Sequence, residues 1–182
     1  MCESLDGKVL LLDIDLKNRL MSALLDAPRV NNAFRGTLVE AMLSLVLEPN
    51  WDWCSADWAS HDFENGKGCK LEVKQSAALQ SWHAEGFAPN RGRFDIAVRK
   101  IRWEGARRIN EVGRYADIYI FAWHAEIDPE FADHRDPAQW RFYAVKADDL
   151  PDQKTIGLSR IEMLTEPCSI NEVAAKVRYL GA

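Results

Sequence analysis

Hydrophobic positions in the first part of the chain fall at helical spacing. Leu16, Leu20, Ala23 and Leu24 share one side of a helix drawn over residues 9 to 27, and Pro28 ends the run. A second helix is predicted from Asn32 to about Leu47, striped by Leu38, Met42, Leu45 and Val46 and followed by Pro49. Glu40 lies mid-helix, off the centre of that stripe, and alone it reads as a solvated flank residue. From Trp51 the period shortens to two. Trp51 to Cys54 alternates as a strand, and a polar connection passes Asp57 and Ser60. His61 to Glu64 and Cys69 to Gln75 read as the arms of a hairpin around Asn65-Gly66-Lys67-Gly68. Ser76 to Trp82 reads as a short helix or turn, and His83 to Arg93 as a loop. Phe94 to Val98 reads as a strand, and Lys100 to Arg114 as a broken basic loop with a helical turn. Tyr115 to Trp123 is the most apolar run and predicts a buried central strand. Beyond the acidic loop from Glu126 to Gln139, strands are predicted at Trp140 to Val145 and Ile156 to Ile161. Ser169 then caps a last helix, Ile170 to Leu180, with Glu172 completing a capping box.

The hairpin carries Glu72-Val73-Lys74. Residues two apart on a strand share a face, so Glu72 and Lys74 lie side by side while Val73 points to a core. The turn decides what joins them. A two-residue loop at Asn65-Gly66 pairs Asp62 with Cys69 and turns Asp62 away from Glu72. An odd-length loop pairs Asp62 with Lys70 and brings Asp62, Glu72 and Lys74 to one face. The two glycines ease the longer loop by supplying positive φ, but the sequence permits both.

Length and composition place the chain as one domain over residues 1 to 182, with a core at about 30 to 150 and a terminal helix at 169 to 180. Cys2, Cys54, Cys69 and Cys168 form no C-x-x-C pair, which points to reduced thiols and a cytoplasmic setting. No signal peptide or membrane span is predicted. His61, His83, His124 and His134 lack zinc spacing, although His61 adjoins Asp62 and is placed to assist there. The net charge of -5 removes any whole-chain argument for nucleic acid, so such an argument must be local. From Arg91 to Arg114 eight basic residues face three acids, a local charge of +5. Arg99, Arg102, Arg107 and Arg108 in this segment are candidate phosphate contacts, with Trp103 available for stacking.

The order of elements completes a pattern: a helix bearing Glu40, a strand, then a hairpin bearing Asp62 and Glu72-Val73-Lys74. From about Gly36 to Trp123 it resembles the PD-(D/E)XK nuclease superfamily. Asp62 matches the first acid, Glu72 and Lys74 the (D/E)-x-K pair, and Glu40 the helical acid. His61 stands where that signature has proline, and Asp57 is the rival for the first acid. The resemblance implies a restriction-endonuclease-like α/β fold, a mixed central sheet flanked by helices. It also implies phosphodiester hydrolysis, with DNA as the expected substrate. Mg²⁺, or Mn²⁺ in its place, would be held by Asp62, Glu72 and the Val73 main-chain carbonyl, oxygen donors suited to a hard cation. Lys74 would orient or deprotonate the attacking water and stabilise the transition state. Glu40 would hold a metal-bound water or a second ion, and Gln75 and Gln80 would position substrate. Such folds often form homodimers, although no dimer seam is legible here. Two other readings stay open: a catalytically silent protein of this fold that binds nucleic acid or serves in assembly, and an unrelated fold in which Glu72 and Lys74 form a surface pair worth ~0–1 kcal/mol.

Overall fold

A computed structural model of the chain describes residues 5–54, 59–83, 86–104 and 107–181. Asp57, the rival first acid, and Cys2 lie outside the described residues. The chain begins with two helices, α1 (Leu5–Leu25) and α2 (Asn32–Leu47). A meander follows: β1 (Trp51–Trp53), β2 (Phe63–Asn65) and β3 (Lys70–Ala77). Next come β4 (Arg93–Asp95), β5 (Arg102–Glu104), β6 (Arg107–Ile109), β7 (Ile118–His124) and β8 (Trp140–Lys146). The chain closes with β9 (Thr155–Gly157), α3 (Leu158–Ile161) and α4 (Ile170–Leu180).

The central sheet has five strands in the order β1-β2-β3-β7-β8. Only β3 and β7 run parallel, so the sheet is mixed. β7 is buried along its whole length, as its unbroken apolar run requires of a central strand. α2 and α4 cover one face. There Val39, Leu43, Leu47, Leu71, Val73, Ile120, Phe142 and Val177 form the larger core. Each such side chain contributes about 1.5–3 kcal/mol on burial. On the opposite face Phe94, Ile96, Tyr119, Phe121, Tyr143 and Ile156 form a second core. Its cover is the crossover between β3 and β7 together with the β4–β9 pair and short α3, so the long helices flank one face only. No helix occurs among the described residues of that crossover.

α2 keeps its predicted ends, with the Asn31 side chain accepting from the Ala33 N–H at 2.9 Å. Of the expected stripe Met42 is buried and Leu38 and Val46 pack half-buried against the core, but its centre shifts to Val39, Leu43 and Leu47, and Leu45 is 85% exposed. Both stripes have helical period, and only the approach of the sheet selects between them. In α1 the predicted stripe is not buried. Leu16 and Leu20 are more than half exposed, because the sheet's helical face is already filled by α2 and α4. Lys100 to Arg114 contains an antiparallel hairpin, with Trp103 opposite Arg108, in place of the expected helical turn. The strand expected over Phe94 to Val98 is short and pairs with β9 outside the central sheet. α4 has its capping box, the Glu172 carboxylate accepting from the Ser169 N–H at 2.8 Å. Cys54, Cys69 and Cys168 are free thiols. Among the described residues no helix is long and apolar enough to cross a membrane.

Candidate functional site

The site is built where β2 stops and β3 continues. The turn has an odd number of residues: Asn65 and Cys69 close it, with the Asn65 N–H donating to the Cys69 carbonyl at 3.0 Å. Gly68 adopts φ 80°, the left-handed conformation that ends a three-residue hairpin loop. The Asn65 side-chain oxygen accepts from the N–H groups of Lys67 and Cys69 at 3.0 Å each. The pairing is Phe63 with Leu71 and Glu64 with Lys70. Asp62 therefore falls level with Glu72, two residues from the Lys70 partner that the sequence suggested. Because the shift is even, Asp62 keeps the face that matters.

At Asp62 the ladder gives way to a bend, and its carboxylate takes over where a partner strand would continue. Asp62 Oδ2 accepts from the Val73 N–H at 2.6 Å, and the Asp62 N–H donates to the Leu71 carbonyl at 2.9 Å. The N–H and C=O of one strand residue leave the same edge, so the Val73 carbonyl is directed toward the Asp62 side of β3. Glu72 and Lys74 form an ion pair, the Glu72 side chain about four-fifths and the Lys74 side chain about three-quarters buried. With Asp62 they line one cleft of about 240 Å³, together with Asp95, Arg99, Trp103 and Tyr119.

The electrostatics are those of crowded carboxylates. Burial, then the charges of Glu72 and Glu40, push Asp62 up to about 7, against a smaller opposing effect of the Val73 N–H and Lys74. Glu40 is raised too, by burial first, while the Trp53 indole N–H donating at 3.0 Å and Lys74 oppose that rise. Glu40 thus reaches the group from the helical layer, although it does not line the cleft. Among the described residues no three His, Cys, Asp or Glu side chains converge as a ready metal-binding group. Two carboxylates and one carbonyl remain an oxygen set that Mg²⁺, which keeps several waters, can use. A cation among them would relieve the repulsion that raises Asp62.

The other expected residues are dispersed. Arg99 lines the cleft but pairs with Asp95. Arg102 donates to Glu111 at 2.9 Å. Arg107 and Arg108 are exposed on β6, and Arg108 lies across from Trp103, which lines the cleft. Trp103 is tied to the site by its N–H donating to Ser60 Oγ at 3.1 Å. Arg114 is taken by the fold, donating to the carbonyls of Ile96 at 2.9 Å and Pro151 at 2.6 Å. Gln75 and Gln80 line a separate cleft. His61 is turned to Glu64 at 3.0 Å and not to Asp62.

Two cleft residues were not anticipated. Tyr119 stands opposite Glu72 in the parallel ladder, and burial followed by the Glu72 charge pushes its phenol up to about 12, so it remains a donor. Asp95 lies below its ordinary value. Burial raises it, but the Ala97 N–H and Arg99 outweigh that effect. Alternation within Tyr115 to Trp123 marks Tyr119 as facing one side of its strand, but the pairing with β3 is a tertiary fact. No family model, curated protein or solved structure matches the chain.

Proposed function

We propose that this protein is a Mg²⁺-dependent phosphodiesterase of restriction-endonuclease-like type acting on nucleic acid, with DNA as the expected substrate. One observation carries the reading: Asp62, Glu72 and Lys74, separated in sequence by a turn, line one cleft, where burial first and then the charges of Glu72 and Glu40 raise Asp62 to about 7. Asp62, Glu72 and the Val73 carbonyl would hold the ion. When bound, Mg²⁺ offsets phosphate charge and acidifies water. Lys74, paired here with Glu72, would orient the attacking water and meet the charge developing on phosphorus. Glu40 stays at the rear of the group and adjusts its charge. Tyr119 offers a hydrogen bond to a substrate oxygen. The order α2-β1-β2-β3, with β7 parallel to β3, supports the fold assignment; the absence of a helix from the described crossover departs from a simple strand-helix-strand unit.

The test is a nuclease assay with Mg²⁺ on single-stranded DNA, duplex DNA and RNA, using Glu72→Ala as control. Cleavage lost on chelation and in the variant supports the reading; equal cleavage by the variant ends it. A second reading is a silent protein of the same fold that binds nucleic acid. It is favoured by the engagement of Glu72 with Lys74 and of Asp62 with the Val73 N–H. Titration with Mn²⁺ separates the two, since the silent protein would neither bind the ion nor cut any substrate.

A further inference from the structure

A second cleft, of about 570 Å³, opens at the far end of β3. Asn32, Arg35, Gln75, Gln80, Trp82 and Arg93 contribute to its walls, and none of its described lining residues is acidic. That is unexpected in a chain of net charge -5. It shares no lining residue with the first cleft, but both reach β3. Ser76, which also lines the second cleft, lies two residues beyond Lys74 on the same face of β3, about 7 Å along the strand.

Arg35 is the unusual member. It lies in the first turn of α2 and is 1% exposed. Its Nε donates to Gln75 Oε1 at 2.6 Å and its Nη2 to Asn32 Oδ1 at 2.7 Å, while Nη1 has no hydrogen-bond partner among the described residues. Burial lowers the guanidinium to about 10, and no carboxylate among the described residues offsets that effect. His124 and His134, both fully buried, feel the Arg35 charge and provide no anion. A buried cation held only by amides is expensive unless an anion completes it. The N-terminus of α2 adds its own attraction for negative charge. At the rim stands an aromatic group. Trp82 is 63% exposed and meets His83 edge-on, and His83 stacks on Phe87 with ring centres 5.5 Å apart. Gln80, 6% exposed, has a side-chain oxygen with no partner among the described residues.

We infer that this second cleft binds one unpaired nucleotide of the substrate strand, its phosphate toward Arg35 and Arg93 and its base on Trp82. An exposed indole can stack only on a base that has left the duplex, whereas the arginines attract phosphate in any form. The protein therefore takes a single-stranded segment beside the scissile bond. This rests on the nucleic-acid reading of the first cleft and specifies the form of the strand it receives.

The experiment uses the full chain in EDTA, so that binding is read without hydrolysis. Fluorescence anisotropy compares a labelled octathymidylate with a duplex of the same length, and inorganic phosphate serves as competitor. The exposed positions supply the variants, Trp82→Ala and Arg93→Ala. The single strand is expected to bind at least tenfold more tightly than the duplex. Trp82→Ala should weaken single-strand binding by roughly tenfold and leave competition by phosphate unchanged. Arg93→Ala should weaken both. Equal binding of duplex and single strand, or single-strand binding untouched by both variants, overturns the inference. If cleavage dependent on Mg²⁺ and Glu72 persists in that case, the hydrolytic reading survives and only the subsite falls. If cleavage is absent as well, both fall.

Discussion

Asp62 combines burial with two neighbouring carboxylates, and its behaviour can be measured without any substrate. Its folded value of about 7 stands above the ordinary 3.8. Between those values the folded protein holds a proton that the unfolded chain has released. The stability associated with Asp62 is therefore complete below this window and is lost as pH rises through it. Urea midpoints should fall from pH 5 to pH 7.5, and Asp62→Asn should flatten that slope. Millimolar Mg²⁺ should raise the midpoint more at pH 7.5 than at pH 5, because the ion needs ionised carboxylates. Lys74→Ala should reduce cleavage by ~10²-fold or more with metal and DNA binding largely retained. Cutting at the parent's rate by that variant would remove Lys74 from the chemistry. Tyr119→Phe removes only a hydroxyl, and a lower kcat with unchanged metal affinity is its expected signature.

At the level of elements, α2 and the β2–β3 turn place the site. α2 presses Val39, Leu43 and Leu47 on the sheet and thereby brings Glu40 toward Glu72 and Asp62. Leu43→Ala should cost about 2–5 kcal/mol. Leu45→Ala, on the exposed side, should stay within about 0.5 kcal/mol. Chemical denaturation of the pair checks the rotation of the helix directly. In the turn, Gly68 sits at φ 80° and an added Cβ would meet only Glu64 Oε1, at an ordinary contact distance of 3.9 Å, so Gly68→Ala should cost about 1–2 kcal/mol, chiefly from backbone strain. The helix ends and the hairpin arms were legible because capping residues and period-two alternation are local signals. The rotation of α2 was not, since Leu45 has the same apolar chemistry as Val39 and Leu43.

For the molecule as a whole, charge is distributed unevenly but less simply than its sequence count suggests. Of the basic segment, Arg99 and Arg102 are paired with acids and Arg114 is spent on carbonyls. Arg107 and Arg108 remain exposed on the hairpin anchored through Ser60. Replacing both with Ala should weaken DNA binding uniformly across sequences and reduce the slope of log K against log salt by up to about 2. A slope equal to that of the parent would show that the hairpin does not meet phosphate. The two clefts have no lining residue in common, so cleavage and strand binding should be separable by variants in one or the other.

The sequence by itself determined the α/β class, the helix boundaries of α2 and α4, and the adjacency of Glu72 and Lys74. These depend on residues close together, through capping, period and strand parity. Tertiary structure alone decided that the hairpin turn has odd length and that Asp62 comes level with Glu72. It also decided that Glu40 approaches from the opposite layer and that Arg35 is buried with no counter-ion among the described residues. Each of these depends on register or on which of several equivalent faces meets the sheet. Such choices are made by the packing of the whole core, and local composition does not distinguish their alternatives.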